Sequence, residues 1–210
     1  MTGQTSSILF AGQQFPLDTK VIDLVNAPVV TLEPLGKLPA LRVLRIQQTN
    51  PHESPGGALL DLSVLRKCPR LTIVEIPEQN VRSIEGLEDH QNLHTIDLSF
   101  TRVADLTPLT GLPGLAILRL RHTRVTDLAP LASIPTLQEL DIAHTPVADI
   151  SALRHHPSLT TLDLRATRVT DLSVLAEMPA LRRVIVQRLD VDEAAIERLR
   201  LARPDVEVVV

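Results

Sequence analysis

Between Leu93 and Ala180 one 22-residue pattern is written four times, from Leu93, Leu115, Leu137 and Leu159, and no other feature restricts the fold as much. The copy from Leu115 shows the rule: Leu115, Leu118, Leu120, Val125, Leu128, Leu131 and Ile134 are apolar, Thr123 joins them, and the residues between are mostly polar. Leu118 and Leu120 alternate with Arg119 and Arg121, a period of two that reads as a short strand with one buried face. From Thr126 to Leu131 the spacing changes to three, as in a short helix or 3₁₀ turn. Asp127 is placed to cap that turn by accepting its orphan backbone N–H groups. Pro130 falls in the first turn, where its missing N–H is not needed. Pro135 keeps the residue before it out of helical geometry and sends the chain into the next strand.

A unit of this size cannot close a core, because its apolar residues all point one way and need a neighbour on each side. Stacking the copies buries them in one column and lines the strands up as a parallel sheet, about 4.8 Å apart. The residues Leu93-x-x-Ile96-x-Leu98-x-x-Thr101-x-Val103, followed by Asp105-Leu106-Thr107-Pro108-Leu109, resemble the leucine-rich repeat family and, within it, the 22-residue subtype of bacterial internalins. That resemblance implies an α/β fold: a right-handed leucine-rich-repeat solenoid, with a parallel sheet on the concave face, short helices or 3₁₀ turns on the convex face, and a cap at each end. Thr101, Thr123, Thr145 and Thr167, with Thr49 in an earlier unit, stand where the family usually places Asn. They are expected to form a structural ladder, each hydroxyl bonding buried backbone groups from repeat to repeat.

The repeats occupy residues 19–188 of a chain read as a single domain over 1–210. Residues 1–18 form an N-terminal hairpin cap, with Ile8 and Phe10 on one arm, Gly12 near the turn, and Phe15 and Leu17 on the other. Terminal repeats need such atypical covers. The unit from Leu41 carries an inserted loop, 51–58, of Pro, Gly, Ser and charged residues. Insertions of this kind project from one face of a solenoid, often the binding face. The unit from Leu71 is the least regular: Gln79 replaces Thr, Pro77 ends the strand, and His90 takes a usually apolar position. Residues 189–210 form a C-terminal cap, a helix with an acidic first turn at Asp192 and Glu193 and then a strand over Val206 to Val210. Both ends look finished, which favours a whole domain.

A formal charge of −4, with no Lys/Arg block, argues against a nucleic-acid groove. Three Phe with no Trp or Tyr leave little for bases to stack on. No stretch reaches membrane-spanning length and Met1 to Leu9 lacks a secretory pattern, so a cytoplasmic location is expected, with host delivery by a secretion system as the alternative. The lone Cys68 excludes disulfide caps within the chain and reads as a small core residue.

The outward residues of the strands would line the concave face. Its middle stripe runs Asp23, Arg45, Glu75, Asp97, Arg119, Asp141, Asp163, Ile185, mostly a solvated charged surface. The stripe at the C-terminal end of the strands runs Asn26, Gln48, Glu78, Phe100, His122, His144, Ala166, Arg188. Phe100 is an outward aromatic, a residue type favoured as an interface anchor. The candidate partner site is therefore Phe100, His122 and His144 with Arg119, Arg121 and Asp141, and His52 and Glu53 of the inserted loop. The rival use of the same residues is a metal site, His122 and His144 with Asp97, Glu139 or Asp141, although any two residues 22 apart become neighbours here. His90 and His156 read as structural. No phosphate loop, nucleophile elbow or reactive-cysteine context is present. The expected function is non-catalytic: an adaptor, inhibitor or effector that binds an unidentified protein, needs no cofactor or metal, and engages neither nucleic acid nor membrane. A monomer is expected. The alternative is self-assembly, as an edge-mediated dimer or larger structure, through the apolar strand that holds Val206, Val208, Val209 and Val210.

Overall fold

The computed structural model describes residues 6–48, 58 and 60–210. Strands β1 (Ser7–Phe10) and β2 (Gln13–Pro16) pair antiparallel as a separate hairpin. Ala11 and Gly12 between them both have positive φ, 47° and 79°, as the tight two-residue hairpin turn requires. Ile8 and Phe10 are buried in the main core, so the hairpin covers apolar side chains of the first repeat.

Among the described residues nine parallel strands follow in chain order: β3 (Val21–Val25), β4 (Val43–Gln47), β5 (Ile73–Glu75), β6 (Thr95–Asp97), β7 (Ile117–Arg119), β8 (Glu139–Asp141), β9 (Thr161–Asp163), β10 (Arg183–Ile185) and β11 (Glu207–Val209). Each adds to the one before, so the sheet grows in one direction as a solenoid. The register puts Ile22, Leu44, Val74, Ile96, Leu118, Leu140, Leu162 and Val184 in one line, and all of them are fully buried. Repetition has thereby turned a two-residue period into a continuous aliphatic column. Truncating one member, Leu118→Ala, would cost about 2–5 kcal/mol, because neighbours held by their own repeats cannot collapse into the gap.

The convex side carries 3₁₀ turns at Glu33–Lys37, Ser63–Lys67, Thr107–Leu109, Ala129–Ser133 and Ser151–Leu153, and one short helix, α1 (Ser173–Ala176). The aspartates ahead of them act one step earlier than the capping reading expected. Asp127 Oδ1 accepts the N–H of Ala129 at 2.8 Å, two residues on, and Asp61, Asp105, Asp149 and Asp171 repeat the bond. This is an Asx turn that steers the chain into the 3₁₀ segment, whose own cap position, Leu128, makes no side-chain bond. In the unit from Leu71 Ser83 takes the aspartate position, its Oγ accepting the Glu85 N–H at 3.2 Å, and the chain then turns at Gly86, φ 102°, where an added Cβ would lie 2.2 Å from the Leu62 carbonyl oxygen.

The threonine ladder needs correction. Thr101, Thr123, Thr145 and Thr167 are buried, but each hydroxyl donates to the carbonyl three residues back in its own repeat, Leu98, Leu120, Ile142 and Leu164, at 2.6–2.8 Å. A hydroxyl has one proton, and the nearest carbonyl takes it. Bonds between repeats come from the backbone next door: Arg102, Arg124 and Arg168 N–H donate to Val81, Val103 and Val147, each at 2.8 Å. Thr49 lies outside the described residues.

At the far end α2 (Glu193–Ala202) is capped by Asp192, whose carboxylate accepts from Ala195 N–H at 2.6 Å, and it buries Ile196 and Leu199. Cys68 is fully buried, and burial pushes its thiol up to about 11. Buried His156 is held neutral: Nε2–H donates to the Ile134 carbonyl at 3.0 Å, while Nδ1 accepts from Ser158 and Leu159 N–H. His90 is likewise buried against backbone, with its ring nitrogens 3.1 and 3.2 Å from the Glu88 and Leu65 carbonyl oxygens. No helix of the described residues is long and apolar enough to cross a membrane.

Candidate functional site

Past the end of each strand the chain must turn out of the sheet, and it does so through one left-handed residue. Asn26, Glu78, Phe100, His122, His144, Ala166 and Arg188 have φ between 51° and 63°. Phe100 N–H then donates to the Arg121 carbonyl, His122 to Ala143, His144 to Arg165, and Ala166 to Gln187, at 2.7–3.0 Å. Gln48 is the one member of the sequence stripe that does not share this conformation, at the point where the chain enters its insertion. Equal backbone geometry at every step aims the side chains alike, so they rise as a column along the lip of the concave face. Left-handed backbone costs an L-residue other than Gly roughly 1–2 kcal/mol, least for Asn.

Three rings stack in this column. Phe100 and His122 have centroids 4.5 Å apart and planes 20° from parallel, and His122 and His144 are 4.2 Å apart at 11°. The Arg121 guanidinium carbon lies 5.9 Å from the Phe100 centroid, within cation–π range. Phe100 remains 40% exposed. Burial, then His144 and Arg121, lower the pKa of His122. Burial, then Arg121, Arg188 and Arg165 against Asp163, lower that of His144. The stack is therefore uncharged at neutral pH. Next to Phe100 stands Glu78, whose Oε2 is buried without a hydrogen-bond partner, as is Nε of Arg121. Burial and Asp97 raise the pKa of Glu78.

The middle stripe aligns in register as the repeat predicts, from Asp23 to Ile185. Its charges are satisfied in different ways. Arg45 pairs across strands with Glu75 at 2.5 Å and Asp23 at 3.7 Å. Arg119 instead reaches diagonally to Glu139 at 4.0 Å. Asp163 is taken by Arg165 of its own repeat through contacts of 2.5–3.0 Å, a pairing the strand-to-strand view did not anticipate. Asp97, Asp141 and Asp163 each accept the N–H two residues on, at 2.9–3.0 Å, which fixes their carboxylates at the strand ends. Burial, and after it Asp163, raise the pKa of Asp141 against its bond from Ala143 N–H.

Phe100, His122, His144 and Arg121 are thus brought together, with Arg119 and Asp141 one step inward on the same face. His52 and Glu53 lie outside the described residues. Glu78 was not singled out from sequence, although counting 22 back from Phe100 places it on the ring column. The stacking works against the metal reading. Imidazole lone pairs lie in the ring plane, so nearly parallel rings 4.2 Å apart direct them side by side and not toward one ion. Among the described residues no three His, Cys, Asp or Glu side chains cluster as metal ligands.

A parallel sheet of one short strand per repeat, with 3₁₀ turns opposite, defines a leucine-rich-repeat solenoid. Residues 135–177 match the family described as leucine-rich repeats in two copies. The whole solenoid is similar to internalin C2 of Listeria monocytogenes (26% identity, TM-score 0.76, covering 95% of this chain and 85% of that one). It is also similar to the internalin inlF of the same organism (19%, TM-score 0.71, 94% and 63%) and to a leucine-rich repeat protein of Leptospira interrogans (17%, TM-score 0.72, 91% and 54%). The chain thus spans less than two thirds of the length of those last two structures. No curated protein matches it in sequence. The chain thus has a leucine-rich-repeat solenoid of internalin-like build, with the repeat family matched over residues 135–177, and leucine-rich repeat proteins generally mediate protein–protein interaction.

Proposed function

We propose that the chain is a non-catalytic binding module that holds a protein partner against its concave face and the lip at Phe100, His122 and His144, in an adaptor, inhibitor or effector role inside a cell. The observation that carries this reading is the exposed ring stack with Arg121 beside it, an apolar and cationic anchor on a backbone fixed at every step by hydrogen bonds between repeats. Rigid presentation lets a partner bind with little ordering cost on this side. Affinity capture from cell lysate, comparing the native chain with Phe100→Ala/Arg121→Glu, tests it. One protein retained by the native chain and lost by the folded variant supports the lip; equal retention by both places the site elsewhere.

A second reading, end-to-end self-assembly, is favoured by a different observation. The two edge strands expose Val21 (53%) and Val25 (55%) at one end, and Val210 (57%) follows β11 at the other. Unpaired sheet edges with apolar residues are templates for further strands. Sedimentation at high concentration decides: a strict monomer removes assembly, and association abolished by Val21→Lys/Val25→Lys establishes it.

A further inference from the structure

The lip column has a ring-sized interruption. Phe100, His122 and His144 fill three successive steps with stacked rings, and the next step is Ala166, in the same backbone conformation (φ 51°) but with only a methyl. Arg188 (φ 59°) stands one step beyond. By backbone register the His144 and Arg188 positions stand two strand spacings apart, about 9.6 Å, with Ala166 between them. A planar group at the midpoint would lie about 4.8 Å from each side, the separation at which offset rings stack and a guanidinium rests on a π face. Ala166 is half-buried and Arg188 exposed, so a group seated over Ala166 would be reached from solvent.

Charge narrows the occupant. Arg165, next to the slot, is neutralised by Asp163, whereas Arg188 and Arg121 make no ion pair among the described residues. The acidic member of the column, Glu78, lies at the opposite end, beyond Phe100. The slot thus offers a neutral aromatic face on one side and an unpaired guanidinium on the other.

We propose that the gap over Ala166 is a recognition slot for one aromatic side chain of a protein partner, carried beside an acidic residue, with the ring completing the stack on His144 and the carboxylate meeting Arg188. The proposal rests on the lip reading above and gives that lip its specificity. A small aromatic probe tests the slot without the partner.

Indole-3-acetate supplies ring and carboxylate together, and cyclohexylacetate supplies the same charge without a π face. Proton NMR of the full chain, with the His144 ring signals assigned by their loss in His144→Gln, reads the result. Indole-3-acetate is expected to move those signals upfield in a saturable way at millimolar concentration, and cyclohexylacetate is not. Ala166→His and Ala166→Phe fill the slot with rings the column already accepts at φ 54° and 61°, and each should abolish the shift. Arg188→Gln should weaken indole-3-acetate while leaving any response to uncharged indole unchanged. An equal response to cyclohexylacetate, a response surviving in either filled variant, or no saturable shift up to the probe's solubility overturns the slot. The two readings fail separately: a captured partner lost by Phe100→Ala/Arg121→Glu but kept by Ala166→His leaves the lip standing and removes the slot alone.

Discussion

Thr145→Val and Thr123→Val make the same chemical change in adjacent repeats, yet they should differ in cost. Both residues are buried and both hydroxyls donate to a buried carbonyl three residues back, at 2.6 Å for Thr145 and 2.7 Å for Thr123. The carbonyls differ. Leu120 also accepts the N–H of Thr123 at 3.2 Å, whereas no second donor reaches Ile142 among the described residues. Losing one of two bonds costs about 0.5–1.5 kcal/mol, and stranding a buried acceptor costs about 1–3 kcal/mol. The new methyl contributes about 0.8 kcal/mol of burial to either variant and cancels in the comparison. Thr145→Val should thus be less stable than Thr123→Val by about 0.5–1.5 kcal/mol. Urea unfolding at pH 7 reads this directly: with a slope of about 2 kcal/mol/M, a difference of about 1 kcal/mol separates the midpoints by about 0.5 M. Superimposed curves, or the reverse order, would refute the assignment of these hydroxyls.

Three further outcomes are expected. Gly86→Ala combines a φ unsuited to L-residues with a Cβ forced against the Leu62 and Ser63 backbone, so it should lose about 2–4 kcal/mol in the same assay. Asp192→Ala removes the cap of α2 and should cost about 1 kcal/mol, with the loss appearing as earlier amide exchange in that helix. Stability should fall as pH drops below the ordinary histidine value of about 6.5, because burial holds His122, His144 and His156 below it, and the unfolded chain takes up protons that the fold refuses. The lowered aspartates Asp61, Asp105, Asp149 and Asp171 act with the same sign, but only in the carboxylate range near pH 4 and below. A urea midpoint that stays constant between pH 7 and 5.5, or rises on acidification, would contradict the histidine contribution.

The repeat made the sheet legible because one counting rule, add 22, fixes which residue stands beside which. Asp97 beside Arg119 beside Asp141 follows from arithmetic, and so does the burial of Leu118 between Ile96 and Leu140. Side-chain partners do not follow from counting, because they depend on reach and on competing acceptors. The Thr123 hydroxyl could have bonded forward to the next repeat, but the Leu120 carbonyl is nearer. Arg119 could have met Asp141 beside it, but Asp141 Oδ1 already holds the Ala143 N–H and Glu139 lies within reach. The unit from Leu71, where Ser83 stands for the aspartate and the chain turns at Gly86, was visible as irregular, but the close approach of Gly86 to Leu62 is a three-dimensional fact.

The lip was legible as a list of residues and not as a column. Nothing in the pattern marks the position of Phe100 as left-handed, because residues suited to that backbone would be Gly or Asn and only Asn26 obliges. The energetics of this mismatch bear on the lip's role. Phe100, His122 and His144 together cost about 3–6 kcal/mol in left-handed backbone, at 1–2 kcal/mol each. Their two ring contacts return about 1–3 kcal/mol at 0.5–1.5 kcal/mol each. The ring contacts therefore offset part of the cost of standing where they stand. That backbone strain is common to the whole column, Glu78, Ala166 and Arg188 included, so what sets these three positions apart is the register of their rings along one edge.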